Sequence, residues 1–335
     1  MIFRIFFVLL FSVFCLVSEL LAETPSLVAR NSVRLCTQNL FRVDASKKEA
    51  QEIARVRRLA SRVSKADCDV LAAQEIAGDS KTAATRSANL FRDFLNEATH
   101  KNWIAIVGGS RDKHIRNGFF VNTDIASVVS VESLERIVLP SLQPHGPLTH
   151  FSRGPLRIEL AIHRLEQPVF LYSMHLKSKA NGWRDVSKLQ FESWRIEMAE
   201  ALRRDASLSK GIVAIMGDRN TRHDAASAKV LSGVLRIDDF LNGNCRVKPE
   251  PDLRAQCIDM KKRRAKFVPI IQRSFAKQIK KKDVGSYKYK GKWELIDEIL
   301  VSEGGRKHFS ERGLLFGQGD GASDHLLLAV DLMLP

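Results

Sequence analysis

The sequence predicts an α/β protein in which two packed sheets are flanked by helices within one domain. Three observations predict it. Short apolar strands alternate with amphipathic helices along most of the chain. Strands outnumber helices, and several are close enough to form hairpins. No repeat or Gly/Ser-rich linker divides the 335 residues, of which 44% are hydrophobic and 27% charged, a balance that supports a sizeable core.

The first residues stand apart from that core. Met1 to Arg4 carries a positive charge, Ile5 to Val17 is an apolar run, and Ala22 offers a small residue before Glu23. This reads as a secretory signal peptide, 1–22, cut after Ala22, with a mature domain over 23–335 in the periplasm or outside the cell. The apolar run is shorter than the ~20 residues that a membrane span needs. Cys15 lies within it without a lipoprotein-like setting. Export leaves Cys36, Cys68, Cys245 and Cys257, an even number suited to an oxidising compartment. Of the three pairings, Cys36–Cys68 with Cys245–Cys257 is expected. Buried free thiols in neighbouring strands are the alternative for the first pair. No cysteine cluster has the spacing of a structural zinc site.

The elements follow in order. Val33 to Gln38 alternates as a half-buried strand. Ser46 and Glu49 form a capping-box pattern ahead of Ile53, Val56, Leu59, Ala60 and Val63 at helical spacing. Val70 to Ala73 is a short buried strand ending at Gln74 and Glu75. Ile104 to Val107, Gly118 to Val121 and Ala126 to Val131 read as a meander. Leu156 to Ile162 and Val169 to Met174 read as a pair turned by Glu166 to Pro168. A second long helix spans about Asp185 to Asp205, followed by a strand at Ile212 to Met216. The last strands are Leu295 to Val301 and Leu326 to Leu332.

Charge is concentrated in one place. The net charge is +15, and between Lys261 and Lys292 thirteen Lys and Arg face one acid, Asp283, so this segment alone contributes +12. Phe267, Val268, Ile270, Ile271, Phe275, Tyr287 and Tyr289 are interleaved with it. Such a basic insertion, at about 261–292, is either a solvated excursion between core strands or a wall that grips phosphates.

Polar and acidic residues recur where the apolar strands end, where side chains can converge on one mouth of a sheet. Asn39, Glu75 and His175 each follow a strand. Asp218 and Asn220 follow Ile212 to Met216, with Gly217 at the bend. Asp297 sits within the strand near Leu295, and Asp324-His325 precedes the last strand. Asp218 and Asn220, two apart, point the same way in an extended chain.

This set resembles the endonuclease/exonuclease/phosphatase family, the DNase I-like fold. The matching stretches, in order, are Thr37 to Leu40, Asp69 to Glu75, Ser152 to Pro155, Ser173 to Ser178, Gly217 to Asn220, Ile296 to Ser302 and Ser323 to His325. They span about Val33 to Leu334. The resemblance implies a four-layer sandwich and a hydrolase that cleaves phosphodiester bonds. A hard cation such as Mg²⁺, with Mn²⁺ or Ca²⁺ as alternatives, prefers oxygen ligands. Glu75 is the expected first ligand, with Asn39 and Asp324 lending oxygens. Asp218 is expected to hold and deprotonate the attacking water, and Asn220 to donate to the phosphoryl oxygens. Asp297 would fix and charge His325. The resemblance also implies that His175 assists proton transfer or the leaving group, and that Arg153 clamps a phosphate.

Three positions depart from the family pattern. Arg219 stands where an aromatic is usual. Gly108 to Arg111 offers no glutamate to orient His175. Glu298 follows Asp297 where a histidine is common.

The leading expectation is therefore a secreted nuclease acting on DNA, with RNA as a second candidate substrate and no obligate protein partner. A sphingomyelinase or phosphoinositide phosphatase is the alternative on the same fold, with anionic lipid meeting the basic segment. Against it stand 7% aromatics and no adjacent Trp or Phe pair in a later turn. A retired scaffold acting only in binding is the third reading, against which every core catalytic residue is present.

Overall fold

The computed structural model describes residues 30–142, 149–178, 188–247, 255–257, 267–281, 284–289 and 291–335. The expected signal peptide and much of the expected basic insertion, including Lys261 to Lys266, Lys282 and Lys290, lie outside them. Among the described residues, no helix is long and apolar enough to cross a membrane.

From Ser32 onward the chain forms one compact unit built on two six-stranded mixed sheets. The first contains Ser32–Val43 (β1), Val70–Ala77 (β2), Trp103–Val107 (β3), Ile115–Asn122 (β4), Leu314–Phe316 (β15) and Leu327–Met333 (β16), in the order β15-β16-β1-β2-β4-β3. The second contains Ala126–Ser133 (β5), Leu156–Ile162 (β6), Val169–His175 (β7), Ile212–Asp218 (β8), Phe267–Pro269 (β11) and Asp297–Ser302 (β14), in the order β11-β14-β8-β7-β6-β5. Each sheet holds one parallel pair, β1 with β2 and β7 with β8. Two small hairpins stand apart from both sheets, Cys245–Val247 (β9) with Ala255–Cys257 (β10), and Tyr287–Tyr289 (β12) with Lys292–Glu294 (β13).

Strand alternation sorts the cores. Val33 and Leu35 face inward to a cluster with Val70, Phe119, Ile158, Leu160 and Met216, which fills the space between the sheets. Cys36 and Leu40 face outward against Ala50–Lys65 (α1) and Lys81–Thr99 (α2), meeting Val56, Leu59 and Phe91. Tyr172, Val213 and Ile215 face outward against Lys188–Ala206 (α3), meeting Ile196 and Leu202. The result is the expected four layers. Both expected disulfides are present: Cys36–Cys68 ties β1 to the residue before Asp69, and Cys245–Cys257 closes the small hairpin.

Three expectations fail locally. The Ser46–Glu49 capping box does not form. Ser46 bonds instead to Asp44 Oδ1 through both its N–H and its hydroxyl, and α1 starts after Glu49 without a side-chain cap. The three-strand meander breaks after β4, because the turn at Thr123 to Ile125 carries the chain into the other sheet, where β5 pairs with β6. Finally, α2 has no counterpart among the helices expected from the sequence. Its buried face is mostly small, Ala84, Ser87 and Ala88 with Phe91 and Leu95, so its apolar period is faint, although Ser80 caps its N-terminus.

Candidate active site

The parallel pairs end at one mouth of the sandwich, and the polar strand ends gather there. In the second sheet, His175 is the register partner of Asp218, and Asp218 of Asp297, so three ionisable side chains stand in one row across β7, β8 and β14. Opposite them, the first sheet bends. β1 and β2 lose register between Asn39 and Val43, and β2 and β4 between Ala73 and Ile76. Such bulges re-aim a side chain. Glu75 lies on that bulge with φ 60°, a strained conformation of the kind that persists where surrounding structure over-determines it.

The distances join the two sheets. Asn39 Nδ2 lies 3.2 Å from Glu75 Oε1 and 3.2 Å from Asp218 Oδ2, while Asn39 Oδ1 accepts from Phe41 N–H. His175 Nε2 is 3.4 Å from Asp218 Oδ2 and 3.9 Å from Glu75 Oε1. His325 Nδ1 is 2.8 Å from Asp297 Oδ2, and its Nε2 is 3.9 Å from Asp218 and 4.0 Å from Asp324. Asp218, Asp297 and His325 are buried, with donor atoms within 4.8 Å of one another, a spacing that one metal ion can bridge.

Backbone geometry is part of the assembly. Gly217 has φ +134°, and a Cβ there would strike the Met174 carbonyl oxygen, so β8 can approach β7 closely only with glycine. Asn220 departs from the expected extended chain. It adopts φ 53°, its N–H donates to Asp218 Oδ1 at 2.7 Å, and its Nδ2 donates to the Leu176 carbonyl at 3.0 Å. The turn thus fixes one oxygen of Asp218 and leaves the other facing the cluster.

Electrostatics separate the two histidines. Burial alone would lower His325, but the adjoining Asp297 carboxylate, aided by Asp218 and Asp324, lifts it to about 10. Burial, the Arg153 guanidinium and His325 itself hold His175 well below its usual value. Burial and the neighbouring Asp297 charge push the Asp218 carboxyl up to about 7. The site thus sets a histidine that favours its charged form and one that favours its neutral form on either side of a carboxyl that resists ionisation.

Arg153 is in the cluster, but beneath it. It is buried, with Nη1 2.6 Å from His175 Nε2 and Nη2 donating to the Leu176 carbonyl at 2.9 Å. A guanidinium thus contacts the histidine that no glutamate from Gly108 to Arg111 can orient. The other two departures answer each other. Arg219 and Glu298 are both buried, with Arg219 Nη1 4.0 Å from Glu298 Oε2. Glu298 also accepts from Ile271 N–H and Gln272 N–H, and Arg219 donates to the Leu295 carbonyl.

Several further residues support the site, of which Arg62, Ser286 and Tyr287 do not stand out in the sequence. Buried Arg62 on α1 donates to the His325 carbonyl at 2.7 Å and to Gln38 Oε1 at 2.8 Å, and forms an ion pair with Asp320. Ser323 Oγ donates to the Asn39 carbonyl and accepts from His325 N–H. Ser286 Oγ accepts from the N–H of Ile296 and of Asp297. The Tyr287 ring lies 4.9 Å from the His325 ring. Arg62 occupies an ordinary amphipathic turn, and Ser286 and Tyr287 lie within the basic segment, so no local signal marks them.

No protein-family model matches the chain, and no curated protein is detectably similar in sequence. Solved structures are similar in fold. An endonuclease/exonuclease/phosphatase from Bacteroides vulgatus superposes with a TM-score of 0.55 at 12% identity, over 91% of this chain and 99% of that one. D. rerio TDP2, complexed with a single-strand DNA product, gives 0.52 at 15% identity over 90% and 98%. The human Nocturnin catalytic domain, with a bound sulfate anion, gives 0.53 at 12% identity over 90% and 94%. Across nearly its whole length, then, this chain has the fold of the endonuclease/exonuclease/phosphatase proteins.

Proposed function

We propose that the protein is an exported, divalent-cation-dependent phosphodiesterase that hydrolyses nucleic acid, with DNA as its principal substrate. The observation that carries this reading is the row His175–Asp218–Asp297 facing Asn39 and Glu75, with His325 hydrogen-bonded to Asp297 beside it. Phosphodiester hydrolysis needs a base for water and positive charge where negative charge develops. Asp218, titrating near neutrality, suits the first need, and His325 suits the second.

The donor set fits a hard cation. Among the described residues, no Lys or Arg forms a salt bridge with Glu75, Asp218, Asp297 or Asp324, whose ion-pair partners are the two histidines. Glu75 and the half-exposed Asp324 would hold the ion. Asn39 joins the ligand set when its amide turns its oxygen toward Glu75, and as placed it sets the separation between Glu75 and Asp218. The buried triad of Asp218, Asp297 and His325 suits an ion less well, because Asp297 already accepts from His325 and a protonated imidazole has no lone pair to give. A bound cation would neutralise a phosphoryl oxygen and offset charge on the departing group.

The chain's own residues supply the rest. Asp218 Oδ2 takes the proton of the attacking water, while Asn220 N–H holds Oδ1. The imidazolium of His325, oriented by Asp297, stabilises the phosphoryl oxygens. His175, kept neutral by burial and by the Arg153 guanidinium, would pass the proton that Asp218 takes on to the departing oxygen. The nick-and-relax assay on plasmid DNA with Mg²⁺ tests the proposal, with EDTA and His325→Ala as controls. Cleavage lost in both controls is expected. Turnover of sphingomyelin or phosphoinositides without DNA cleavage would transfer the chemistry to lipid, and inactivity on all three would leave a binding protein.

A further inference from the structure

A guanidinium from the outer helix layer stands directly behind the catalytic cleft. Arg62 belongs to α1, yet its side chain is only 2% exposed, and all five of its N–H groups have acceptors. Nη1 donates to the His325 carbonyl at 2.7 Å and to Gln38 Oε1 at 2.8 Å. Nε donates to Asp320 Oδ2 at 2.8 Å, and Nη2 to Asp320 Oδ1 and to the Gly317 carbonyl. Gln38 doubles the grip, because its Nε2 donates to the His325 carbonyl at 3.1 Å and to the Asn39 carbonyl at 2.7 Å. The loop 317–324 is shaped around the guanidinium. Gly317, Gly319 and Gly321 all have positive φ, and a Cβ at Gly317 would overlap Arg62 Nε. Asp320 Oδ1 also accepts from Ala322 N–H, two residues before Asp324.

We propose that Arg62 is a positioning residue, which clamps the His325 backbone from behind so that the imidazole spans the cleft to Asp297. The proposal rests on the catalytic reading of His325 and extends it to the residue that holds it. The bond between His325 and Asp297 crosses from one sheet to the other, since Asp297 opens β14 and His325 leads into β16. The ladder of β16 begins only at Leu327. The His325 carbonyl is therefore held by Arg62 and Gln38 rather than by a neighbouring strand. A lysine at position 62 cannot replace the clamp. Its ammonium is a point charge that can serve Asp320 or the two oxygens of Gln38 and His325, whereas the planar fork of arginine serves both at once.

The test reads geometry apart from chemistry. An imidazole N–H held by a carboxylate is deshielded and slow to exchange, so proton NMR of the full chain in EDTA should show it far downfield, and His325→Gln assigns it by removing it. Arg62→Lys should lose this signal while the chain stays folded by thermal melting. Its kcat on a chromogenic diester should fall by about 10- to 100-fold with KM little changed, as expected for a misplaced catalytic group. Gly317→Ala keeps both charges but pushes the guanidinium aside, and it should lose the signal too; it decides the matter if Arg62→Lys fails to fold. Asp320→Asn, which leaves the Nη1 bonds in place, should keep the signal. Its persistence in folded Arg62→Lys or Gly317→Ala, its absence from wild type, or its equal loss in Asp320→Asn would each overturn the proposal, the last by reducing Arg62 to a tether of the loop. A wild type that shows the signal but hydrolyses no phosphodiester would instead refute the catalytic reading and leave the clamp standing.

Discussion

Replacing Asp297 by Asn removes one charge from the site while keeping an oxygen that can accept from His325 Nδ1, now 2.8 Å away. The Asp297 carboxylate is the chief group lifting His325 from 6.5 to about 10 against the effect of burial. That difference corresponds to about 5 kcal/mol in favour of the imidazolium. Because the folded value is raised, the stabilisation is fully present below pH 6.5 and is lost as pH rises through 10. The variant should therefore be less stable by about 5 kcal/mol at about pH 6, by about 3 kcal/mol at about pH 8, and by little above about pH 10. Activity should follow. The wild-type profile on a chromogenic diester should rise as Asp218 ionises near pH 7 and fall near pH 10 as His325 loses its proton. In the variant, burial loses its main counterweight, so the alkaline limb should move down from about pH 10. The acid limb should also move down, since Asp297 helps to raise Asp218. Urea denaturation across this pH range and pH–rate profiles measure both effects. An alkaline limb that stays near pH 10, or a stability loss independent of pH, would refute the assignment of an imidazolium at His325.

Three further outcomes are expected. Changing exposed Lys280 and Lys281 to Gln should weaken DNA binding and reduce the slope of log affinity against log salt by about 0.7–0.9 per lysine, which filter binding across a salt series can read; an unchanged slope would leave the segment a solvated excursion. Arg219→Met alone should cost about 3–5 kcal/mol by stranding Glu298, and adding Glu298→Gln should recover much of it, as a denaturation double-mutant cycle would report. Non-reduced protein should expose no alkylatable thiol at Cys36, Cys68, Cys245 or Cys257. Removing the Cys36–Cys68 link, which closes a separation of 32 residues, should lower stability by about 4 kcal/mol.

The strand-end residues are legible because each sits at a change of pattern, an apolar run giving way to one polar side chain, and the register of a sandwich brings such ends together. Asn39, Glu75, His175, Asp218, Asp297 and His325 can be singled out this way. The Asn220 conformation cannot, because a two-residue spacing specifies direction only if the chain stays extended. Arg62 is illegible for a different reason: it acts on His325 from 263 positions away, and its own helix gives it an ordinary place in an amphipathic turn. The helix over Lys81–Thr99 escapes a reading of periodicity because alanine and serine can line a buried face without raising its apolar signal. Tyr287 and Ser286 look like part of a charge run, and only the hairpin fold turns them toward the site.

The buried Arg219–Glu298 contact has a consequence for substitution. Either partner alone would keep its backbone hydrogen bonds but bury a charge with its nearest counter-ion gone. The two positions are therefore best exchanged together. A comparison that scores positions independently counts the pair as two defects beside the reactive aspartates, whereas in the folded molecule it is one self-consistent choice of interior.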